Sequence, residues 1–242
     1  AIYPTAFFLH APFTDALFLA CTIASILMMV KRQHILGGLL ACAASVTRPE
    51  GLLLLIPMFI YILRRNWGHW GIKIWREIMA IIVTPLGFGA FYLWRQTYSD
   101  LGIFQSLASF SRVRFQIPFF TLWNALVGAW KNPDFTQISE FISILLFLAI
   151  LIWMFTKREF IQHIEIMLYS LASLLLFTSK TTFSASPLQS SNRYVLHIFF
   201  VFVGIAMLMQ KTAPRTRHWI SLLSIILGMI CVTLYSLWVF VG

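Results

Sequence analysis

Charge is what this chain has least of. Only 11% of its 242 residues are Asp, Glu, Lys or Arg, against about 25% in a typical soluble domain. That deficit excludes an ordinary water-soluble globule. Acid is the scarcer sign, with 8 Asp and Glu against 18 Lys and Arg. Cysteine is scarce too. Cys21, Cys42 and Cys231 lie inside apolar segments without metal-ligand spacing, which argues against a disulfide framework or a cysteine metal site; they read as small buried hydrophobes. The six histidines show neither an HxxxH nor an HExxH spacing, so no metal site is expected. No cofactor is expected either, although a divalent ion is compatible with the chemistry considered below. Internal repeats of about 20 to 50 residues, which would support an inverted-repeat transporter, are missing.

What remains is apolar. Hydrophobic residues make up 60% of the chain and mean hydropathy is +0.83. Several runs of 14 or more residues carry no charge, close to the roughly 20 residues that cross a bilayer as a helix. The expected fold is therefore all-α, a polytopic transmembrane helical bundle, read as a single membrane domain over residues 1–242. The chain begins almost inside an apolar segment, and we expect it to be the C-terminal part of a larger module. The formal net charge of +10 does not point to nucleic acid, because a basic groove needs solvent exposure. Most of the basic residues sit instead in short clusters between apolar segments, as the positive-inside bias predicts for cytoplasmic loops.

The first span is expected over Thr14–Val30. Two short apolar runs follow, Ile35–Val46 and Gly51–Leu63, split by Thr47-Arg48-Pro49-Glu50. At 1.5 Å per residue each covers about 20 Å, less than the hydrocarbon core. Pro49 disfavours helical geometry at Arg48 and removes a donor, so the pair reads as two short helices whose turn lies below one membrane surface. Asn66–Arg76 is a basic, tryptophan-rich loop. Further spans are expected at Ile78–Trp94, Phe141–Phe155, Ile166–Phe177, Val195–Met209 and about Trp219–Val241. Within the long connection Arg95–Glu140, Pro118–Lys131 places Phe119, Trp123, Leu126 and Trp130 at helical spacing; it reads as an interfacial helix. The expectation is about eight helical membrane segments, two of them short, plus that interfacial helix in an external loop.

If Lys31-Arg32 faces the cytoplasm and the chain alternates, 11 of the 18 basic residues fall on the cytoplasmic side. Asp15, Arg48, Glu50 and the segment Ser179–Arg193 then share the other face. An ionised group at the edge of a membrane span is expensive and therefore a functional hypothesis by default. Asp15, with Thr14 and His10 nearby, is the best candidate for a general base or for orienting an acceptor; it could equally be a helix N-terminal acid favoured by the macrodipole. Arg48 and Glu50 either pair across the turn or leave Arg48 to bind phosphate. Arg193 and Tyr194, at the mouth of a span, contact phosphate or anchor the interface.

These blocks resemble a known family. Tyr3-Pro-Thr-Ala-Phe-Phe-Leu…Pro12-Phe-Thr-Asp-Ala-Leu-Phe-Leu, Thr47-Arg-Pro-Glu-Gly and Ser191-Asn-Arg-Tyr-Val-Leu are similar, in order and spacing, to motifs of the integral-membrane mannosyltransferases related to the enzyme that adds the second mannose of GPI anchors. The resemblance implies a GT-C glycosyltransferase fold. It further implies transfer of a hexose, mannose above all, from a polyprenyl-phosphate donor to a lipid or glycan acceptor on the extracytoplasmic face. Asp15 would then be the catalytic carboxylate. His10, Thr14, Arg48, Glu50, Arg193 and Tyr194 would contact substrate. The location implied is the plasma membrane of a bacterium or the endoplasmic reticulum membrane of a eukaryote, with membrane lipids as partners. The family carries a second acid-bearing loop, which lies upstream of the matched region and has no counterpart here. A membrane transporter and a non-catalytic subunit of a glycosylation complex remain the alternatives.

Overall fold

The computed structural model describes residues 14–66, 74–98, 113–131, 135–182, 188 and 191–236. It is built almost wholly of helices and divides into two compact units, one drawn from Thr14–Ser106 with His163–Ala172, the other from Leu107–Gln162 with Ser173–Gly242.

The first unit begins with α1 (Asp15–Val30), which starts on an acid in its first turn, a position the helix dipole favours. Its end is a Schellman cap. Arg32 donates its backbone N–H to the Met29 carbonyl at 3.0 Å, and Gln33 reaches Met28 at 2.8 Å. Arg32 occupies the left-handed position of this motif, at φ 64°, where glycine is the usual residue. The chain then turns into α2 (His34–Thr47), whose buried face is made of Gly37, Gly38, Ala41, Ala44 and Ser45. Arg48 is extended at φ −152°, ψ 138°, as a residue before proline should be. Pro49 opens a short 3-10 helix, Pro49–Leu54, where its missing N–H is harmless. That turn lies directly on α2, since a Cβ on Gly51 would come within 2.6 Å of Ser45 backbone. α3 (Leu55–Asn66) follows. The break expected at Arg48-Pro49 is thus present.

The unit's tightest seam joins α2 to α4 (Trp75–Gln96). A Cβ on Gly38 would stand 2.6 Å from the Ala80 Cα, and one on Gly87 would run into the Cys42 carbonyl oxygen. Small residues on both helices let the backbones approach, the arrangement that membrane helices use in place of a hydrophobic driving force. α4 also carries Pro85 inside its length. The Ser45 hydroxyl donates to the Thr84 carbonyl at 2.9 Å, a side-chain tie across the seam.

The second unit contains α5 (Pro118–Lys131), α6 (Phe135–Phe155), the single turn α7 (Arg158–Ile161) and the last part of α8 (Ile164–Ser179). A three-residue strand β1 (Val113–Phe115) pairs antiparallel with β2 (Lys180–Thr182), Phe115 opposite Lys180. The chain continues through α9 (Ser191–Tyr194), a 3-10 turn (Val195–His197), α10 (Phe199–Gln210) and α11 (Pro214–Ser236). Edge-to-face pairs fill its core, Phe147 with Phe202 at 5.4 Å and Phe160 with Phe200 at 5.8 Å.

Among the described residues, three helices are long and apolar enough to cross a membrane: Trp75–Gln96, Gln137–Phe155 and Pro214–Thr233. Asp15–Val30, His34–Thr47, Ile164–Ser179 and Phe199–Gln210 are apolar but shorter. Three helices among the described residues thus reach spanning length, and the expected count of about eight segments is not shown. Part of the reason is that apolar runs ignore backbone breaks: the run Val195–Met209 is divided by the 3-10 turn Val195–His197, and α10 starts only at Phe199. α5 matches the expected Pro118–Lys131 helix residue for residue.

Gly87→Ala should destabilise the protein by about 1–3 kcal/mol, because the added methyl meets backbone that cannot rotate away. Thermal unfolding in detergent measures it; an unchanged midpoint would disprove the seam.

Candidate functional site

Asp15 is fully buried, with 0% of its surface exposed. Its Oδ1 receives the Arg48 guanidinium at 2.6 Å. Arg48 Nε also donates to the Thr14 hydroxyl at 3.3 Å. The pairing exists because α1 and α2 are antiparallel, which sets the start of one beside the end of the other, and because Pro49 holds Arg48 extended instead of helical. Glu50 is buried in the first turn of the 3-10 helix, 6% exposed. Of the residues expected to act together, Thr14, Asp15, Arg48 and Glu50 therefore come from one end of this unit; the ion pair seen for Arg48 is with Asp15. His10 lies outside the described residues.

Taking two charges out of water costs several kcal/mol per ion, and their attraction restores it only when the geometry is good. A guanidinium beside a carboxylate favours the ionised form. Arg48 thus holds the Asp15 carboxylate in one orientation. The arrangement suits a group that accepts a proton late in a reaction, or that fixes a cation near a departing phosphate.

Arg193 and Tyr194 sit in the second unit, at the one-turn helix α9. Tyr194 stacks on Phe177, centroids 5.1 Å apart and planes at 15°. The Arg193 guanidinium lies 5.2 Å from the Tyr194 centroid, and Lys180 Nζ lies 5.3 Å from the same ring. His197 is buried 6.1 Å away. Lys180 was missed by the sequence reading. Its only local signal is a position just after the apolar run Ile166–Phe177; what brings it to Tyr194 is non-local.

A further cluster surprised the sequence reading. Glu77 is buried in the first turn of α4. It accepts from Arg65 at 3.0 Å and from Asn66 at 2.5 Å, and His34 Nε2 stands 3.3 Å from it. Nearby, Arg64 donates to Glu165 at 2.8 Å. The cluster marks the end of α1 and α2 opposite to Asp15 and Arg48. His34, just outside the apolar run Ile35–Val46, has a pKa lowered chiefly by burial; Glu77 opposes the shift, while Arg65 and Arg32 add to it. Its Nδ1 finds no partner among the described residues. Groups of three or more His, Cys, Asp or Glu able to hold a metal are not found among the described residues.

Two outcomes follow. Arg48→Met should cost about 3–5 kcal/mol, since it takes the guanidinium away from a buried carboxylate, whereas the double variant Asp15→Leu/Arg48→Met should recover much of that loss. Unfolding of the three proteins checks this, and additive losses would rule the pairing out. For His34 the folded state resists the proton while the unfolded chain accepts it below about pH 6.5. The stability it contributes is therefore complete above that pH and falls as pH drops toward the lowered folded value. Denaturant unfolding between neutral and mildly acid pH should show this slope, and His34→Gln should flatten it.

No known protein family matches this chain, and neither a curated protein nor a solved structure matches it.

Proposed function

We propose that this protein is a membrane glycosyltransferase that moves a hexose, mannose by the resemblance of its motifs, from a polyprenyl-phosphate donor to a lipid or glycan acceptor on the extracytoplasmic face. The observation that carries the reading is the buried Asp15–Arg48 pair at the break between two short apolar helices. Charge held in such a place is expensive and points to function. In the proposed reaction Asp15 takes the proton of the acceptor hydroxyl as that oxygen bonds to the sugar's anomeric carbon. The bond from that carbon to the phosphate oxygen breaks on the opposite face, and the configuration inverts. The phosphate leaves with the electron pair. Arg48 orients Asp15; in the other unit, Arg193 and Lys180 beside Tyr194 by themselves offer positive charge suited to a phosphate. The helix Pro118–Lys131, with Trp123 and Trp130 exposed, suits the headgroup interface of the same membrane.

The test uses the longest form of the protein in vesicles with radiolabelled polyprenyl-phosphate mannose and a membrane lipid extract as acceptor source. Label should pass from the donor into a new product. Asp15→Asn should lower the rate by about 10²- to 10⁴-fold while thermal unfolding shows a folded protein. A folded Asp15→Asn variant with unchanged rate would falsify Asp15 as base. Donor that crosses the membrane unaltered would favour transport instead.

A further inference from the structure

The turn between α1 and α2 breaks a local rule. Residue 32 occupies the left-handed position of a Schellman cap, where a side chain is strained and glycine fits without cost. The sequence nevertheless places arginine there, directly after Lys31. Local rules broken without structural gain tend to mark function. Both side chains are exposed. Among the described residues neither makes an ion pair, whereas Arg64 and Arg65, on the same rim, are each matched to an acid, Glu165 and Glu77. Beside the turn, Leu27 and Val30 on α1 and Ile35 and Leu39 on α2 are exposed to about half of their surface or somewhat less or more. Two cations thus cap a pair of apolar helix surfaces.

We infer that this corner binds an anionic phospholipid, Lys31 and Arg32 meeting the headgroup phosphate while the acyl chains lie along Leu27, Val30, Ile35 and Leu39. The chemistry selects among lipids. A zwitterionic headgroup sets its own ammonium beside the phosphate and cancels much of the attraction; a headgroup with net negative charge does not. Lysine and arginine at a helix end also place their charges at headgroup level while their stems remain on apolar surface. The site is distinct from the Asp15–Arg48 end, and it rests on the membrane reading of the chain, not on the transferase reading.

Thermal unfolding of the full chain in vesicles tests it, comparing phosphatidylcholine alone with an equal mixture of phosphatidylcholine and phosphatidylglycerol. The mixture should raise the wild-type midpoint by about 4–8 °C, the shift expected when two cations each gain an anionic neighbour in a chain of this length. Lys31→Gln/Arg32→Gly should lose that shift. Glycine relieves the left-handed strain, so the variant should unfold in phosphatidylcholine alone no earlier than wild type, which separates lost binding from lost folding. Arg32→Lys should retain the shift. The inference is overturned if the double variant keeps the full shift, or if soluble glycerol phosphate added to phosphatidylcholine vesicles reproduces it. Failure of the wild-type chain to incorporate into either vesicle would overturn the membrane reading and the lipid site with it.

Discussion

The Asp15 carboxylate is fully buried, and the Arg48 guanidinium pairs with it at 2.6 Å. Much of the first unit's geometry serves this contact. α1 must begin where α2 ends, so the helices run antiparallel. Arg48 must be extended, so Pro49 follows it. The turn after Pro49 must lie close against α2, so Gly51 carries no side chain. An ion pair in an apolar setting tolerates little displacement, because its attraction falls with distance while the desolvation of each charge remains.

Close packing of helices gives the pair its fixed frame. Gly38 and Ala80, and Gly87 and Cys42, bring the α2 and α4 backbones into contact, and Ser45 ties the seam by donating to the Thr84 carbonyl. At the other end of the unit, Arg65, Asn66 and His34 surround Glu77. α1 and α2 therefore run between two polar clusters, each made of residues from different helices. The second unit is held differently, by aromatic edges such as Phe147 on Phe202 and by the stack of Tyr194 on Phe177.

Much of the helical layout was legible. α1, α2 and α5 fall within a residue of their expected limits, since uninterrupted apolar runs ended by charge or proline leave little choice of helix. The interruption at Arg48 was legible because a residue before proline avoids helical backbone. The candidate residues Asp15 and Arg48 stood out because isolated charge in apolar sequence is conspicuous. Their pairing did not, for Glu50 is nearer to Arg48 along the chain than Asp15 is. Glu77 did not stand out because hydropathy does not distinguish a buried, partnered acid at a helix start from a solvated one. Lys180 was overlooked because its approach to Tyr194 depends on a turn of chain that no local pattern records.

The sequence by itself determined that this is a helical, membrane-compatible chain with its scarce charges at the ends of apolar runs, because hydropathy and proline act locally and leave a periodic trace. Tertiary structure alone decided which charge meets which, and which apolar runs amount to helices long enough to span. Those outcomes depend on helix direction, on the spacing allowed by glycine at the seams and on backbone breaks, and each joins residues that the sequence holds far apart.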